Sequence, residues 1–490
     1  MTGSGESRET DLPRIAAFKN TTAFKAHLAT LPIAMACDDA LLPRHHNPLT
    51  QPIQIYGRLV GNRFVAHPME GWDGAPDGKP TELVLRRWGH FGLSGAKLIW
   101  GGEAVAVRHD GRANPNQLCY APENEAALSA LLSTLKTVHR EHYGTTDDLY
   151  AGLQLTHSGR WARPGPGHAA RPRIAFRHPV LDARLGITDD TPLFTDGELE
   201  ALIANYAAAA RFAARDGYDF VDVKCCHGYL MHELLAAHTR PGPYGGRFEN
   251  RTRLFREIVA AIRRDVPGLQ IGVRLSAFDL VPFRHPGAGQ GPGEPIEYAP
   301  HLPWRYGFGV SAANPLEYDL SEPIAFVRLC RDLGITLLNV SGACPYYNPH
   351  LMRPAAFPPS DGYPPPEDPL IGCARLLDVA AQLKRAVPEM VVVGTGYTYL
   401  QEFLPYVAQA QVRLGHVDMV GVGRMLLAYP ELPARVLGGQ RLDRKRLCRT
   451  FSDCTTGPRN HMVSGCFPLD PFYKSRPEAR AIQALRKTAR

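Results

Sequence analysis

The chain has 490 residues, of which 44% are hydrophobic and 21% charged, as is typical of a soluble globular protein with ample length for a buried core. Lys and Arg number 55 against 48 Asp and Glu, so the net charge of +7 arises from both signs interspersed. No basic run alternates with aromatic residues and no apolar stretch approaches membrane-spanning length, so we expect neither a nucleic-acid partner nor a membrane partner.

The first residues and the cysteines bear on the cellular compartment. Residues 1–13 are polar, carry both charge signs and precede no apolar segment, so we predict no secretory signal peptide. The ten cysteines are scattered through predicted strands and helices, which favours a reducing compartment over a disulfide scaffold. We therefore expect a cytoplasmic protein.

Eight short apolar runs, most of them rich in Val, Ile and Leu, alternate with helical patterns along the chain. The predicted strands are 64–68, 97–104, 150–156, 220–224, 270–275, 336–341, 390–394 and 417–422. Buried parallel strands have this composition. Eight such strands alternating with helices predict an α/β fold, a (β/α)8 TIM barrel. A doubly wound sheet is the alternative, but no Gly-x-Gly-x-x-Gly motif opens the first helix.

Helical periodicity between the strands supports this reading. Residues 128–138 and 255–262 each place their large apolar side chains on one helical face. Thr195 followed by Glu198 predicts a capping box at the start of the helix before the fourth strand.

Three segments stand outside the alternation of strands and helices. Two of them flank the barrel, which we expect over residues 53–438: an N-terminal extension over 1–52 and a cysteine-containing extension over 439–490. A Gly- and Pro-rich loop at 278–320 follows the fifth strand, on the face where barrel loops carry function. We expect it to be a lid or a pocket wall, the alternative being a surface excursion without a role.

The most informative segment begins at the fourth predicted strand. That strand ends in a polar cluster that contains Lys224, Cys225, Cys226, His227 and Tyr229. Catalytic side chains of a (β/α)8 barrel lie at the carboxyl ends of its strands. An amine, an imidazole and a phenol in this position therefore indicate a catalytic site.

The same segment resembles the old yellow enzyme family of flavin-dependent ene-reductases. It combines His-Gly-Tyr-Leu at 227–230 with Tyr-Gly-Gly-Arg-Phe-Glu-Asn-Arg at 244–251. Further segments that are similar to family motifs, in the same order, are 63–69, 102–104, 154–160, 272–276, 339–342 and 420–424. Any one of these is weak evidence, but six in sequence at barrel spacing are specific, and the resemblance covers most of residues 53–438.

The resemblance implies a bound FMN that NAD(P)H reduces. It assigns Gln154 to the pyrimidine edge of the flavin and Arg274 to N1 and the C2 carbonyl, where negative charge collects on reduction. It assigns the phosphate to Gly396, Gly423 and Arg424, because glycines admit the phosphate to backbone amides and arginine offers a charged fork. The predicted cofactor-binding set is completed by Pro68, Glu70 and Ala104.

The resemblance also implies catalytic roles for Tyr229, His227 and Lys224. The neutral phenol of Tyr229 would donate a proton to one alkene carbon while hydride reaches the other. The family holds the substrate carbonyl with a His-x-x-His or His-x-x-Asn pair; His227 fits the second position, but Lys224 replaces the first. An ammonium is a point charge on a flexible stem, so Lys224 favours an anionic substrate or an oxyanion. The alternative is a structural lysine paired with Asp222, two residues earlier on the strand.

Glu70 and the C-terminal cysteines are further departures from the family pattern. Glu70 stands where the family usually has Thr or Cys beside the flavin; an ionised carboxylate there would disfavour electrons on the flavin, unless the side chain turns away. Cys448, Cys454 and Cys466 fall where larger members bind a four-iron cluster, but the first gap is too long and a fourth cysteine is missing. Zinc with His461 is a lesser alternative. We expect no metal.

From these residues we expect an FMN-dependent oxidoreductase acting on a small molecule. It would pass hydride from NAD(P)H through flavin N5 to an electron-poor C=C bond. Two alternatives stay open: dehydrogenation or demethylation of an amine, and a flavin-binding barrel without turnover. The sequence also leaves a homo-oligomer open.

Overall fold

The computed structural model describes residues 12–287 and 291–488, and most of the polar N-terminal segment lies outside them. The strands of the described residues are β1 (Ile53–Ile55), β2 (Arg58–Val60), β3 (Phe64–Ala66), β4 (Leu98–Ile99), β5 (Ala104–Ala106), β6 (Tyr150–Thr156), β7 (Phe220–Val223), β8 (Gln270–Ser276), β9 (Phe283–Arg284), β10 (Glu294–Pro295), β11 (Leu337–Ser341), β12 (Val391–Gly394) and β13 (Met419–Val422).

The α-helices of the same residues include eight short ones of four to seven residues and one short amino-terminal helix of eight. In chain order they are α1 (Thr21–Leu28), α2 (Glu82–Leu93), α3 (Glu125–Tyr143), α4 (Leu181–Arg184), α5 (Asp196–Asp216), α6 (Leu230–Leu235), α7 (Phe248–Arg251), α8 (Arg253–Asp265), α9 (Ser321–Asp332), α10 (Pro349–Met352), α11 (Pro369–Ala386), α12 (Leu404–Arg413), α13 (Met425–Ala428), α14 (Leu432–Leu437), α15 (Asp453–Arg459), α16 (Pro471–Lys474) and α17 (Pro477–Thr488).

The main sheet is parallel and closes on itself. The ring runs β3–β4–β6–β7–β8–β11–β12–β13 and returns to β3, because Gly421 of β13 pairs with Val65 of β3. Closure excludes the doubly wound sheet, whose edges stay open, and confirms the (β/α)8 barrel. The carboxyl ends of all eight strands therefore converge on one face.

The second barrel strand differs from the single run predicted at 97–104. It is divided into β4 and β5, which both pair with β6. Gly101 and Gly102 between them have φ angles of +134° and +53°, which glycine adopts without steric cost. An added Cβ at Gly101 would lie 2.7 Å from the backbone nitrogen of Gln154, so the interruption also needs glycine for close approach.

A hairpin closes the amino-terminal end of the barrel. The antiparallel strands β1 and β2 bring Ile55 and Val60 against buried side chains from the first residues of the barrel strands. The strand residues in this cluster include Val65, Leu98 and Tyr150. This end is therefore packed with apolar side chains, which leaves the opposite end for polar chemistry.

The predicted helix features are present. In α3 the side chains of Leu128, Leu131, Leu132 and Leu135 are buried. In α5 the Thr195 hydroxyl accepts from the backbone of Glu198 and the Glu198 carboxylate accepts from the backbone of Thr195, which is the expected capping box. No helix of the described residues is long and apolar enough to cross a membrane.

Candidate active site

Ten of the predicted site residues line a single cavity of about 240 Å³ at the carboxyl ends of the strands. They are Pro68, Glu70, Gln154, Lys224, His227, Tyr229, Arg274, Gly396, Gly423 and Arg424. Ala104 is not on the wall; it is buried in β5 opposite Gln154, and its carbonyl accepts a hydrogen bond from Gln117. Its role toward the flavin stays a prediction.

Gln154 is oriented by a buried carboxylate. Its amide nitrogen donates to Asp222 over 2.6 Å, and the indole nitrogen of Trp100 donates to the same oxygen over 2.7 Å. The other Asp222 oxygen accepts from the backbone nitrogen of Arg274 at 2.8 Å. Burial raises the pKa of Asp222 to about 6. Because the amide nitrogen faces Asp222, the amide oxygen of Gln154 is left to accept from another group.

Arg274 is a buried cation that forms no salt bridge with any carboxylate of the described residues. Its side chain is 7% exposed, and its guanidinium donates only to the backbone oxygen of Pro68, at 3.2 Å, while Nε has no partner among the described residues. Burial lowers the pKa of Arg274. An unpaired buried charge is costly, so this arrangement is suited to a bound group that carries negative charge.

Another part of the cavity wall is built from glycine backbone and Arg424. Gly396, after β12, has a φ of +98°, which favours glycine. At Gly423, after β13, an added Cβ would meet its nearest protein atom only at 3.7 Å, so no protein side chain fills this space. Open backbone beside an arginine fits a phosphate. Together with Gln154 and Arg274, these groups fit FMN. Its phosphate, the hydrogen-bonding edge of its ring system and the position that becomes negative on reduction would each contact a complementary group.

The turn after β7 presents Tyr229 to the cavity. His227 and Gly228 have φ angles of +65° and +74°. An added Cβ at Gly228 would lie 2.7 Å from the sulfur of Cys344, so a larger residue does not fit there. The backbone nitrogen of His227 donates to the Ser276 hydroxyl at 3.0 Å, which ties the turn to β8.

Tyr229 lies between a carboxylate and a second phenol. Its hydroxyl donates to the Glu70 carboxylate and lies 3.0 Å from the Tyr346 hydroxyl. Burial and the neighbouring Glu70 raise the pKa of Tyr229 well above its usual value, so the phenol keeps its proton at neutral pH. Glu70 therefore faces the cavity instead of turning away from it. Tyr346 was not predicted, because a loop tyrosine after the sixth barrel strand matches no motif.

Lys224 is not paired with Asp222, so that alternative from the sequence is wrong. Among the described residues the Lys224 ammonium forms no salt bridge; its Nζ lies 3.5 Å from the ring centroid of Tyr229. Asp222 instead accepts from the three donors named above. The side chain of Lys224 is 4% exposed, and burial lowers its pKa.

His227 is a neutral imidazole. Burial, followed by the nearby charges of Arg274 and Lys224, lowers its pKa well below 6.5. Its Nε2 lies 3.0 Å from the hydroxyl of Ser341 at the end of β11. A neutral imidazole and an ammonium thus line the same part of the wall as the Tyr229 phenol.

The C-terminal segment also contributes to the cavity. Cys454, Thr455, Pro458 and Arg459 of α15 line it, together with Ser464. Burial, followed by the neighbouring thiol of Cys454, raises the pKa of Cys448 to about 11. Among the described residues no group of three or more His, Cys, Asp or Glu side chains is placed to hold a metal. Apart from its cysteines, this segment carries no sequence motif that would predict its place on the cavity wall.

Known proteins are similar to this chain in sequence. A family model described as "NADH:flavin oxidoreductase / NADH oxidase family" matches residues 48–287. An NADPH dehydrogenase of Bacillus cytotoxicus is 30% identical over 241 residues, which are 48% of this chain and 63% of the relative. An NADH:flavin oxidoreductase of Gibberella zeae is 29% identical over 242 residues, 46% of this chain and 56% of the relative. The matched segments thus span less than two thirds of these curated relatives.

Solved structures agree in fold. Morphinone reductase superimposes with a TM-score of 0.54 at 20% identity, covering 81% of this chain and 91% of that one. A 2-naphthoyl-CoA reductase gives a TM-score of 0.63 at 17% identity, covering 87% of this chain and 57% of that one. At this identity the likeness supports the barrel fold alone.

Proposed function

We propose that the chain is a member of the old yellow enzyme family of FMN-dependent, NAD(P)H-using oxidoreductases and that it reduces an electron-poor C=C bond. The observation that carries the proposal is the wall around Tyr229, where a protonated phenol, a neutral imidazole and an ammonium line one cavity. These are the groups needed to polarise an activating oxygen and to protonate a carbon.

Bound FMN would supply a hydride carrier that NAD(P)H recharges. Gln154, Arg274, Gly396, Gly423 and Arg424 would hold it, with Arg274 matching the charge of its reduced form. Pro68 would fix Arg274 through its backbone oxygen. Asp222 keeps the Gln154 amide in one orientation.

The chain's own groups would then act on the alkene. Lys224 and His227 would donate to the carbonyl, carboxylate or nitro oxygen that activates it, which draws electron density from the distal carbon. That carbon would take the hydride that bound FMN supplies, and the proton of the Tyr229 hydroxyl would go to the other carbon. The Tyr229 oxygen left after this transfer would regain a proton from water, and Glu70, which accepts a hydrogen bond from the same hydroxyl, would relay it.

The charge of the cavity favours this reaction over amine oxidation. Apart from Arg87, which is paired with Asp73 and Glu103, and Arg459, which is paired with Asp361, the charged side chains on the wall are one carboxylate and several cations. The cations are Lys224, Arg274, Arg353 and Arg424, and the carboxylate is Glu70. A protonated amine would be repelled here, whereas a neutral or anionic acceptor would not.

The test is an anaerobic half-reaction. The flavin-loaded protein is reduced with NADPH or NADH and mixed with enones, enoates and nitroalkenes, while amines are added to the oxidised form. Rapid reoxidation by a carbonyl-activated alkene, slowed roughly 10²–10⁴-fold in Tyr229→Phe, is expected, since a positioned proton donor has about this effect. Reduction by an amine, or reoxidation by oxygen alone, would contradict the proposal. Tyr406→Phe, at an unrelated tyrosine on α12, is the matched control.

A further inference from the structure

A second cavity of about 300 Å³ lies beside the first, in the region of the loop predicted as a pocket wall. The hairpin β9–β10 supplies Phe283 to its wall, and the segment that follows the hairpin supplies Ile296. Val180 at the start of α4 and Tyr363 supply other parts. The wall is mainly proline, aliphatic and aromatic, unlike the cation-rich wall of the first cavity.

The two cavities share a partition. Pro345 and Tyr346 line both of them. The hydroxyl of Tyr346 lies 3.0 Å from that of Tyr229, and its ring stacks on Trp161 with centroids 4.4 Å apart. The apolar cavity thus begins one side chain away from the proposed proton donor.

An ion pair spans the same partition. Arg459 lines the first cavity and Asp361 the second, and their charged atoms lie 3.3 Å apart. The Arg459 guanidinium also lies 4.4 Å from the ring centroid of Tyr346. Polar groups at the partition and apolar groups beyond it suit a ligand whose polar, reacting end sits near Tyr229 and whose far end is apolar.

We propose that the second cavity is an acceptor subsite, which takes an aromatic or other compact apolar group joined to the electron-poor double bond. The inference deepens the proposed reduction and rests on it for the identity of the ligand. An apolar cavity of about 150 Å³ holds a benzene ring, so 300 Å³ has room for one or two rings. The aromatic wall offers stacked and edge-on contacts to such a group.

The experiment compares two enones that differ only at the far end: pent-3-en-2-one, which carries a methyl group, and 4-phenylbut-3-en-2-one, which carries a phenyl group. Both are titrated into the oxidised flavin-loaded protein, and binding is followed by the flavin absorbance without any reductant. The phenyl compound is expected to bind at least tenfold more tightly. Burial of its additional apolar area favours binding by more than the free energy that corresponds to a tenfold change in Kd.

Two variants narrow the subsite from different elements: Ile296→Trp beyond the hairpin and Val180→Trp at α4. Each is expected to reduce the phenyl preference about tenfold or more and to leave pent-3-en-2-one binding unchanged. Leu414→Trp, at an exposed leucine 46% accessible to solvent, is the control. FMN content and melting temperature identify any variant that folds poorly.

The outcomes separate the subsite from the reaction. Equal binding of the two enones by the unaltered protein would overturn the subsite, whatever the variants do. A preference that survives in both folded variants would also overturn it. If the phenyl preference is found and is lost in the variants, but neither enone reoxidises the reduced flavin, the subsite stands and the proposed reduction fails.

Discussion

The hydroxyl of Tyr229 donates a hydrogen bond to the carboxylate of Glu70 on the wall of the candidate active site. Glu70 is one of the positions at which the sequence departs from the family motif it resembles, and this contact links it to the predicted proton donor. Together with burial it raises the pKa of Tyr229, which keeps the acid protonated but also weakens it.

We expect Glu70→Gln to raise the reduction potential of bound FMN. Removing a negative charge from the cavity wall favours electrons on the flavin, by roughly 20–60 mV for a charge interaction of about 1–3 kcal/mol. Equilibrium reduction against a reference dye measures the shift. The exposed Glu123→Gln is the control. An unchanged or lower potential would mean that the Glu70 charge does not act on the flavin.

Lys224 tests the recognition of the acceptor. Lys224→Met keeps an unbranched stem over the Tyr229 ring but removes the charge, so acceptors with a carboxylate should bind roughly ten- to hundredfold more weakly, equivalent to about 1.5–3 kcal/mol. Lys224→His recreates the His-x-x-His pair of the family motif, so this variant should reduce simple cyclic enones faster than the original protein does. Reoxidation traces on three proteins measure both effects. Equal losses for neutral and anionic acceptors would argue against charge recognition.

Melting curves of the same proteins separate this role from a structural one. Since Lys224 forms no salt bridge within the described residues, loss of its charge should not lower the melting temperature. A buried unpaired cation is itself destabilising, so Lys224→Met is expected to be as stable as the original or more so.

Asp222 tests the orientation of Gln154. In Asp222→Asn, one carboxylate oxygen is replaced by an NH2 group. This group is a donor and would face at least one of the three donors from which the carboxylate accepts hydrogen bonds. The expected cost is about 1–3 kcal/mol, or roughly ten- to hundredfold in the Kd for FMN if Gln154 turns away. FMN titration of the apoprotein measures it. Asp219→Asn, at the opposite end of the same strand, should lower stability without this loss of FMN affinity.

Buried histidines predict loss of stability in acid. The Nδ1 atom of His232 accepts from the backbone of Gly228 at 3.0 Å, and burial lowers the pKa of His232 to about 4. The folded state therefore resists protonation that the unfolded state accepts below about pH 6.5, so stability falls as the pH decreases from there toward 4. Between pH 7 and 5 the loss is about 2 kcal/mol for this group.

The variant His232→Gln isolates that contribution. A glutamine oxygen can accept from Gly228 without titrating, so the fall in the free energy of unfolding between pH 7 and 5 should shrink by about 2 kcal/mol. Urea denaturation at several pH values measures it. His142→Gln, at an exposed position on α3, should leave the pH dependence unaltered.

The sequence by itself determined the barrel and most of the residues of its site. Alternating apolar runs and helical faces are local properties of the chain, and the carboxyl end of a barrel strand follows from its direction. Lys224, His227 and Tyr229 were therefore predicted to lie together on one face, as they do. The capping box at Thr195 was likewise readable, because its two partners are three residues apart.

Only the tertiary structure decided which groups touch across the cavity. Asp222 and Lys224 are two residues apart, yet Asp222 bonds to Trp100 and Gln154, more than sixty residues away. Glu70 and Tyr346 meet at Tyr229 from the ends of the first and sixth barrel strands. The C-terminal wall and the second cavity arise in the same way, because partners brought together by closure of a barrel leave no spacing pattern in the sequence that could reveal them.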